Sequence, residues 1–117
     1  MATKKRYQSR HLPAFILLAL AERPVHGSAI HSVLIERMGL ARPDTGAIYR
    51  ALQQLEQEGA VVFDWDTGGS GPAKKVYRLT PAGWEKLAEW RREIEARLAN
   101  LQAFLEMYRA LKRPEGC

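Results

Sequence analysis

The stretch from Ala41 to Asp66, ARPDTGAIYRALQQLEQEGAVVFDWD, decides how the rest of the chain is read. Asp44 or Thr45 can cap a helix here, because a short oxygen-bearing side chain accepts from an amide two or three residues on, and Pro43 suits entry from a loop. Ile48, Leu52 and Leu55 recur at spacings of four and three, which puts them on one stripe of that helix. Tyr49, Arg50, Gln53 and Gln57 point elsewhere and leave a polar face free. Gly59 stops the helix in the manner of a left-handed C-cap. Val61, Phe63 and Trp65 then alternate with their neighbours as in a half-buried strand.

Working back toward the N-terminus, Leu40 to Pro43 makes a short turn. His26-Gly27-Ser28 opens a second helix with Ile30, Val33, Leu34 and Met38 on one face and Gly39 at its close. Leu12 to Glu22 is a first helix ended by Pro24. It is apolar on nearly every side at Phe15, Ile16, Leu17, Leu18 and Leu20, so more than one of its faces needs cover, some of it from another subunit. Helix, short turn and helix, the second with an outward polar face, is a helix-turn-helix.

Working forward, Thr67-Gly68-Gly69-Ser70-Gly71-Pro72 is a hairpin tip that neither helix nor strand tolerates. Ala73 to Leu79 returns as a second strand, with Lys75, Tyr77 and Leu79 on one side and Lys74, Val76 and Arg78 on the other. Two antiparallel strands with basic residues near a tip make a wing. Thr80-Pro81 starts another helix, with a hydroxyl at the cap and proline at the first helical position. Within it Trp84, Leu87, Trp90, Ile94, Leu98, Leu101, Leu105 and Tyr108 step by three or four, close to a coiled-coil seam. Charges of both signs surround that seam, as on a solvated face. A helix of about 28 residues is ~42 Å long, and its far half needs another chain. The expected fold is mainly α, with a small two-stranded β-wing and a long C-terminal dimerisation helix.

With 117 residues, 46% of them hydrophobic, the chain is sized for one domain with a modest core. A net charge of +5 and a pI near 9.7 favour an anionic partner, nucleic acid before an anionic membrane surface. Lys4, Lys5, Arg6 and Arg10 place four positive charges and no acid in the first eleven residues, whereas the other 106 carry 14 basic and 13 acidic ones. Most of the excess therefore sits in an N-terminal arm.

The single cysteine, Cys117, permits no intrachain disulfide, and a cytoplasmic address is expected. The chain's start imitates a secretory signal, with an apolar run from Ala14 to Leu20 and Ala19-Leu20-Ala21 as a cleavage site. That reading is set aside, because cleavage would remove a helix the next two need, and the run is far short of the ~20 residues of a membrane span. Nor does the chain read as an enzyme. His11, His26 and His31 have no metal-ligand spacing, the glycines from Gly68 to Gly71 lack the Gly-Lys-Ser/Thr ending of a phosphate loop, and Ser9, Ser28, Ser32 and Ser70 have no acid–base partner nearby in sequence. No metal or cofactor is expected.

Four motifs in order carry a resemblance: Pro24-Val25-His26-Gly27, Gly46-Ala47-Ile48-Tyr49-Arg50-Ala51-Leu52, Leu55-Glu56-Gln57-Glu58-Gly59, and Lys74-Lys75-Val76-Tyr77-Arg78-Leu79-Thr80-Pro81-Ala82-Gly83. Together with the first apolar helix they resemble the PadR family of transcriptional regulators, over nearly the whole chain. The resemblance implies a winged helix-turn-helix homodimer joined through the long C-terminal helix and the first helix. It further implies repression at a palindromic operator in double-stranded DNA and release by a small, often aromatic, molecule. The family often has a hydroxyl residue where this chain has Ala47. Residues 1–11 then read as a basic arm, 12–80 as the winged helix-turn-helix DNA-binding domain, and 81–117 as the dimerisation helix and tail.

Thr45, Gly46, Tyr49 and Arg50 occupy the helix end that approaches base edges and phosphates in such motifs, and Gln53 is a candidate reader of adenine. Lys74, Lys75 and Arg78 are the wing's candidates for phosphate or minor groove, and Lys4, Lys5 and Arg6 form a nonspecific grip with Arg10. Glu56 and Glu58 are expected to be held away from phosphates. Leu87, Trp90, Ile94, Leu98, Leu101, Leu105 and Tyr108 are the expected dimer contacts. Phe15, Trp90 and Ile94, with their symmetry mates, are candidates for a pocket that stacks a flat effector. A second reading keeps the winged helix but makes it a protein-interaction module that docks through the amphipathic C-terminal helix. A net charge of −2 from Asp44 to Gly59 keeps that reading open.

Overall fold

The structure, a computed structural model, describes residues 9–40 and 43–116. After a 3₁₀ turn at Ser9–His11 come α1 (Leu12–Glu22), β1 (Val25–His26), a 3₁₀ turn at Gly27–Ala29, α2 (Ile30–Glu36), α3 (Thr45–Gln57), β2 (Val61–Asp66), β3 (Lys74–Leu79) and α4 (Pro81–Ala110). The chain through Leu87 forms one compact unit, and the chain from Ala88 onward forms a second.

The core of the first unit follows the expected stripes. Ile16, Leu17, Ile30, Leu34, Ile48, Leu52, Leu55 and Val61 are fully buried, and each contributes roughly 2 kcal/mol of hydrophobic stabilisation. α1 packs against α2, α3 and β3, which is why it is apolar on so much of its circumference. Only Leu18, among its large apolar residues, is exposed.

β2 and β3 form the expected two-stranded wing, and the sheet gains a third strand, β1. The sheet order is β1-β3-β2, with Val25 opposite Tyr77 and His26 opposite Val76. His26-Gly27-Ser28 therefore does not open the second helix directly: His26 ends a strand, and α2 begins only at Ile30. The physical reason is that the hairpin alone would leave the outer edge of β3 unpaired, and two extended residues satisfy part of that edge. Gly27 can follow because a Cβ there would lie 3.1 Å from the Tyr77 ring.

The turn from α3 to β2 and the start of α4 are joined into one knot. Gly59 adopts φ +78°, the left-handed conformation expected of it. Ala60 N then donates to Leu55 O at 2.9 Å, and Thr80 N donates to Ala60 O at 3.1 Å. Thr80 Oγ1 donates to Gly59 O at 2.5 Å and accepts from Gly83 N at 3.0 Å. A Cβ on Gly83 would stand 2.1 Å from Ala60 O, so the first turn of α4 reaches this backbone only as glycine.

In the second unit α4 continues unbroken to Ala110. Trp90 and Ile94 are half-buried, whereas Leu98, Leu101, Leu105 and Tyr108 are exposed. Phe104 and Met107 are exposed as well, so the apolar arc here is wider than the seam of the sequence reading. Phe104 and Tyr108, one turn apart, stack with centroids 6.4 Å apart.

Candidate nucleic-acid interface

The polar face of α3 is set by its cap. Asp44, not Thr45, is the N-cap residue, and its Oδ2 accepts from Ala47 N at 3.2 Å. The loop before it is held by His31, whose Nε2 donates to Pro43 O at 3.1 Å, since a carbonyl can only accept. That bond ties α2 to the entry of α3 and fixes the angle between the two helices of the motif. Thr45 is exposed and Gly46 half-buried, while Tyr49 is 49% exposed. Arg50 is also exposed, and its guanidinium folds back so that Nη2 lies 3.6 Å from Asp44 Oδ2. Gly46 leaves room for this, because a Cβ there would meet Arg50 Nη1 at 3.2 Å. Gln53 lies exposed one turn beyond Tyr49.

Strand alternation sorts the wing's side chains by charge. The register sets Val61 against Leu79, Phe63 against Tyr77 and Trp65 against Lys75; it also sets Val62 against Arg78, Asp64 against Val76 and Asp66 against Lys74. Both hairpin carboxylates thus share the face of Lys74, Val76 and Arg78. Each also finds a partner there. Arg78 Nε donates to Asp64 Oδ2 at 3.1 Å, so Arg78 is occupied within the sheet. Asp66 accepts from Gly68 N at 3.0 Å and pairs with His26 Nε2 at 2.9 Å. The Gly68 amide, and after it His26, hold the Asp66 carboxyl below its usual range.

On the other face Lys75 is the only charged residue of the hairpin. It lines two adjoining grooves between α3 and the wing. One is shared with Tyr49, Gln53, Glu56 and Gln57, the other with Tyr49, Ser28 and Trp65. Tyr49, Lys75 and Tyr77 border both, and with Gln53 in the first and Lys74 in the second the structure brings together four sequence candidates, two from α3 and two from the wing. Tyr77 is buried at their junction; its phenol is pushed up by desolvation and, secondarily, by Glu56 and Tyr49.

At the far end of α3, Glu58 points to α4. Its carboxylate accepts from Gln54 Nε2 at 2.8 Å and meets Lys86 Nζ at 2.9 Å. These bonds, Gln54 first, hold it below the usual carboxylate range. Glu56, by contrast, is exposed and lines the groove with Lys75.

Of the remaining sequence candidates, Lys4, Lys5 and Arg6 lie outside the described residues. Phe15 is half-buried in α1, and Leu87, Trp90 and Ile94 are half-buried in α4. Among the described residues no three His, Cys, Asp or Glu side chains are grouped to hold a metal ion, and no helix is long and apolar enough to cross a membrane.

The sequence pattern of the PadR-like transcriptional regulators matches residues 16–89, from α1 through the wing into α4. This chain belongs to the PadR-like family of transcriptional regulators. The transcriptional regulator Rv3488 of Mycobacterium tuberculosis is 35% identical over 91 residues, which cover 78% of this chain and 82% of that protein. A putative transcriptional regulator from Thermoplasma acidophilum, TA0346, superposes with a TM-score of 0.71 at 26% identity, covering 84% of this chain and 93% of the other. Bacillus subtilis PadR, solved in complex with operator DNA, superposes with a TM-score of 0.62 at 32% identity; the match spans 69% of this chain and 47% of that protein. The family and its structural relatives are regulators, not enzymes. In this PadR-family chain Ala47 gives the Asp44 cap its backbone amide.

Proposed function

We propose that this PadR-family regulator acts in the cytoplasm as a homodimer that binds a palindromic operator in double-stranded DNA and represses transcription. The observation that carries the reading is the groove between α3 and the wing. Tyr49, Gln53, Lys74 and Lys75 line it, Thr45 and Arg50 lie near Tyr49 on the helix, and the carboxylates of Asp44, Asp64, Asp66 and Glu58 are each paired with a cation or a hydrogen-bond donor. Pairing at Asp44 and Glu58 lowers the repulsion that a net negative helix would offer a phosphate backbone, and leaves Glu56 as the carboxylate of α3 that lines the groove. That Bacillus subtilis PadR is solved with operator DNA supports the same assignment. Gly46 lets the helix end approach closely, Lys74 stands at the start of β3 near the tip, and Lys4, Lys5 and Arg6 add a nonspecific grip on the phosphates.

Leu98, Leu101, Leu105 and Tyr108, exposed along α4, support pairing with a second copy, extended by Leu87, Trp90 and Ile94. A small aromatic effector whose binding releases DNA completes the reading, with Trp90 and Ile94 of α4 and their symmetry mates as its candidate contacts. No observation favours the protein-docking alternative over self-association, because a second copy presents the same apolar helix.

A mobility-shift titration with the DNA upstream of the chain's own coding sequence tests the reading. A retarded complex is expected, weakening with salt at a log–log slope of about −0.9 per neutralised phosphate. If no complex forms even in dilute buffer, the assignment fails. Quenching of tryptophan emission by a planar aromatic compound tests the effector pocket, and an unchanged spectrum removes it.

A further inference from the structure

Trp65 is the most exposed of the three tryptophans. It sits next to the end of β2 and is 60% exposed, although a tryptophan at a hairpin tip gains nothing from solvent and invites aggregation. It is nevertheless held. Its ring meets Phe63 edge-on at 5.5 Å with an interplanar angle of 87°, and Phe63 leans on buried Tyr77 at 5.8 Å. Lys75, directly opposite Trp65, has its Nζ 4.4 Å from the Phe63 centroid and 5.8 Å from that of Trp65. The three aromatic rings form a row running outward from the core, with a cation lying over its outer half.

This row stands on the sheet face that carries no carboxylate, and Trp65 lines the same groove as Tyr49 of α3 and Ser28 before α2. A partner entering that groove meets a fixed ammonium beside a flat apolar surface. We infer that Trp65 is a DNA-contacting residue: its indole packs on a deoxyribose of the strand that runs between α3 and the wing, while Lys75 takes the adjoining phosphate. A sugar–phosphate unit has this pairing of an apolar face with an anion one bond away. The contact is independent of sequence, so it adds to affinity and register but not to base choice. The inference rests on the DNA-binding reading above and adds to it a residue, and a kind of contact, that charge alone does not supply.

The test uses the full chain and a fluorescently labelled duplex of mixed sequence in dilute buffer, because a sugar–phosphate contact needs no operator. Trp65→Ala is expected to weaken binding by about three- to tenfold and to leave the salt slope unchanged. Lys75→Ala is expected to lower the slope by about one phosphate. Trp65→Phe keeps most of the contact surface and restores most of the affinity, yet abolishes the change in tryptophan emission that DNA causes in the unaltered chain. Circular dichroism melts of each variant check that the wing is intact. If the unaltered chain binds the duplex but Trp65→Ala binds equally well, or the emission change persists in Trp65→Phe, the inference falls and the DNA-binding reading stands. If the unaltered chain binds no duplex at all, both fall.

Discussion

Gly83 shows how much a single residue can carry without advertising it. In sequence it reads as an unremarked residue in the first turn of a helix, where glycine costs roughly 1 kcal/mol relative to alanine. In space its missing side chain lets α4 close on Ala60 O, and its amide is one of the two partners of Thr80 Oγ1. Gly83→Ala is therefore expected to cost about 3 kcal/mol or more, the upper range for a methyl forced into packed backbone, read as a drop in the denaturation midpoint. Asp44 has two tasks that substitution can separate. Asp44→Asn keeps an oxygen for Ala47 N but loses the charge that draws Arg50 back. Stability should change by less than about 1 kcal/mol, whereas duplex binding should tighten and become more salt-dependent as Arg50 is released to a phosphate. A direct titration of both chains at two salt concentrations checks this. That either Asp44 or Thr45 caps the helix was legible from residue type; that Asp44 also restrains the arginine expected to touch DNA was not, because the fold of a long side chain is not periodic.

At the scale of elements, long periodic segments were legible and short paired ones were not. The stripe of Ile48, Leu52 and Leu55 and the stop at Gly59 place α3 within a residue of its observed ends. β1 was missed because two residues have no period; only the open edge of β3 makes Val25 and His26 a strand. The knot between α3 and α4 yields a pH prediction. Glu58 is held below the usual carboxylate range by Gln54 and Lys86. A depressed folded-state pKa stabilises fully above the unfolded value, and that stabilisation is lost as pH falls through the folded one. Melting temperatures of the chain and of Glu58→Gln should thus differ at neutral pH, with the glutamine variant lower, and converge in acid below the ordinary glutamate range. A gap that persists there would mean that Glu58 acts through packing instead of charge.

At the scale of the whole molecule, the exposed apolar arc of α4 and the basic arm make separate predictions. Leu101→Glu and Leu105→Glu each put a charge where a second copy is proposed to pack, and burying an unpaired charge costs several kcal/mol. Light scattering should find the unaltered chain dimeric at micromolar concentration and the doubly substituted chain monomeric. A monomer in both cases overturns the assembly. Replacing Lys4, Lys5 and Arg6 together by alanine should flatten the salt dependence of DNA binding by about 0.9 for each phosphate the arm neutralises. An unchanged slope would leave the arm a solubilising tail.

The amino-acid sequence by itself determined the order of helices, the polar face of α3, the hairpin, the apolar seam of α4 and the family. Each is written in local spacing, capping chemistry or residue order, which act over a few positions along the chain. The tertiary structure alone decided that a third strand joins the wing's sheet, that Gly83 must be glycine, that the hairpin's carboxylates are paired with Arg78 and His26, and that Lys75 and Trp65 share a groove with Tyr49. Those facts depend on contacts between residues distant in sequence, where packing distance and sheet register, not local pattern, set the outcome.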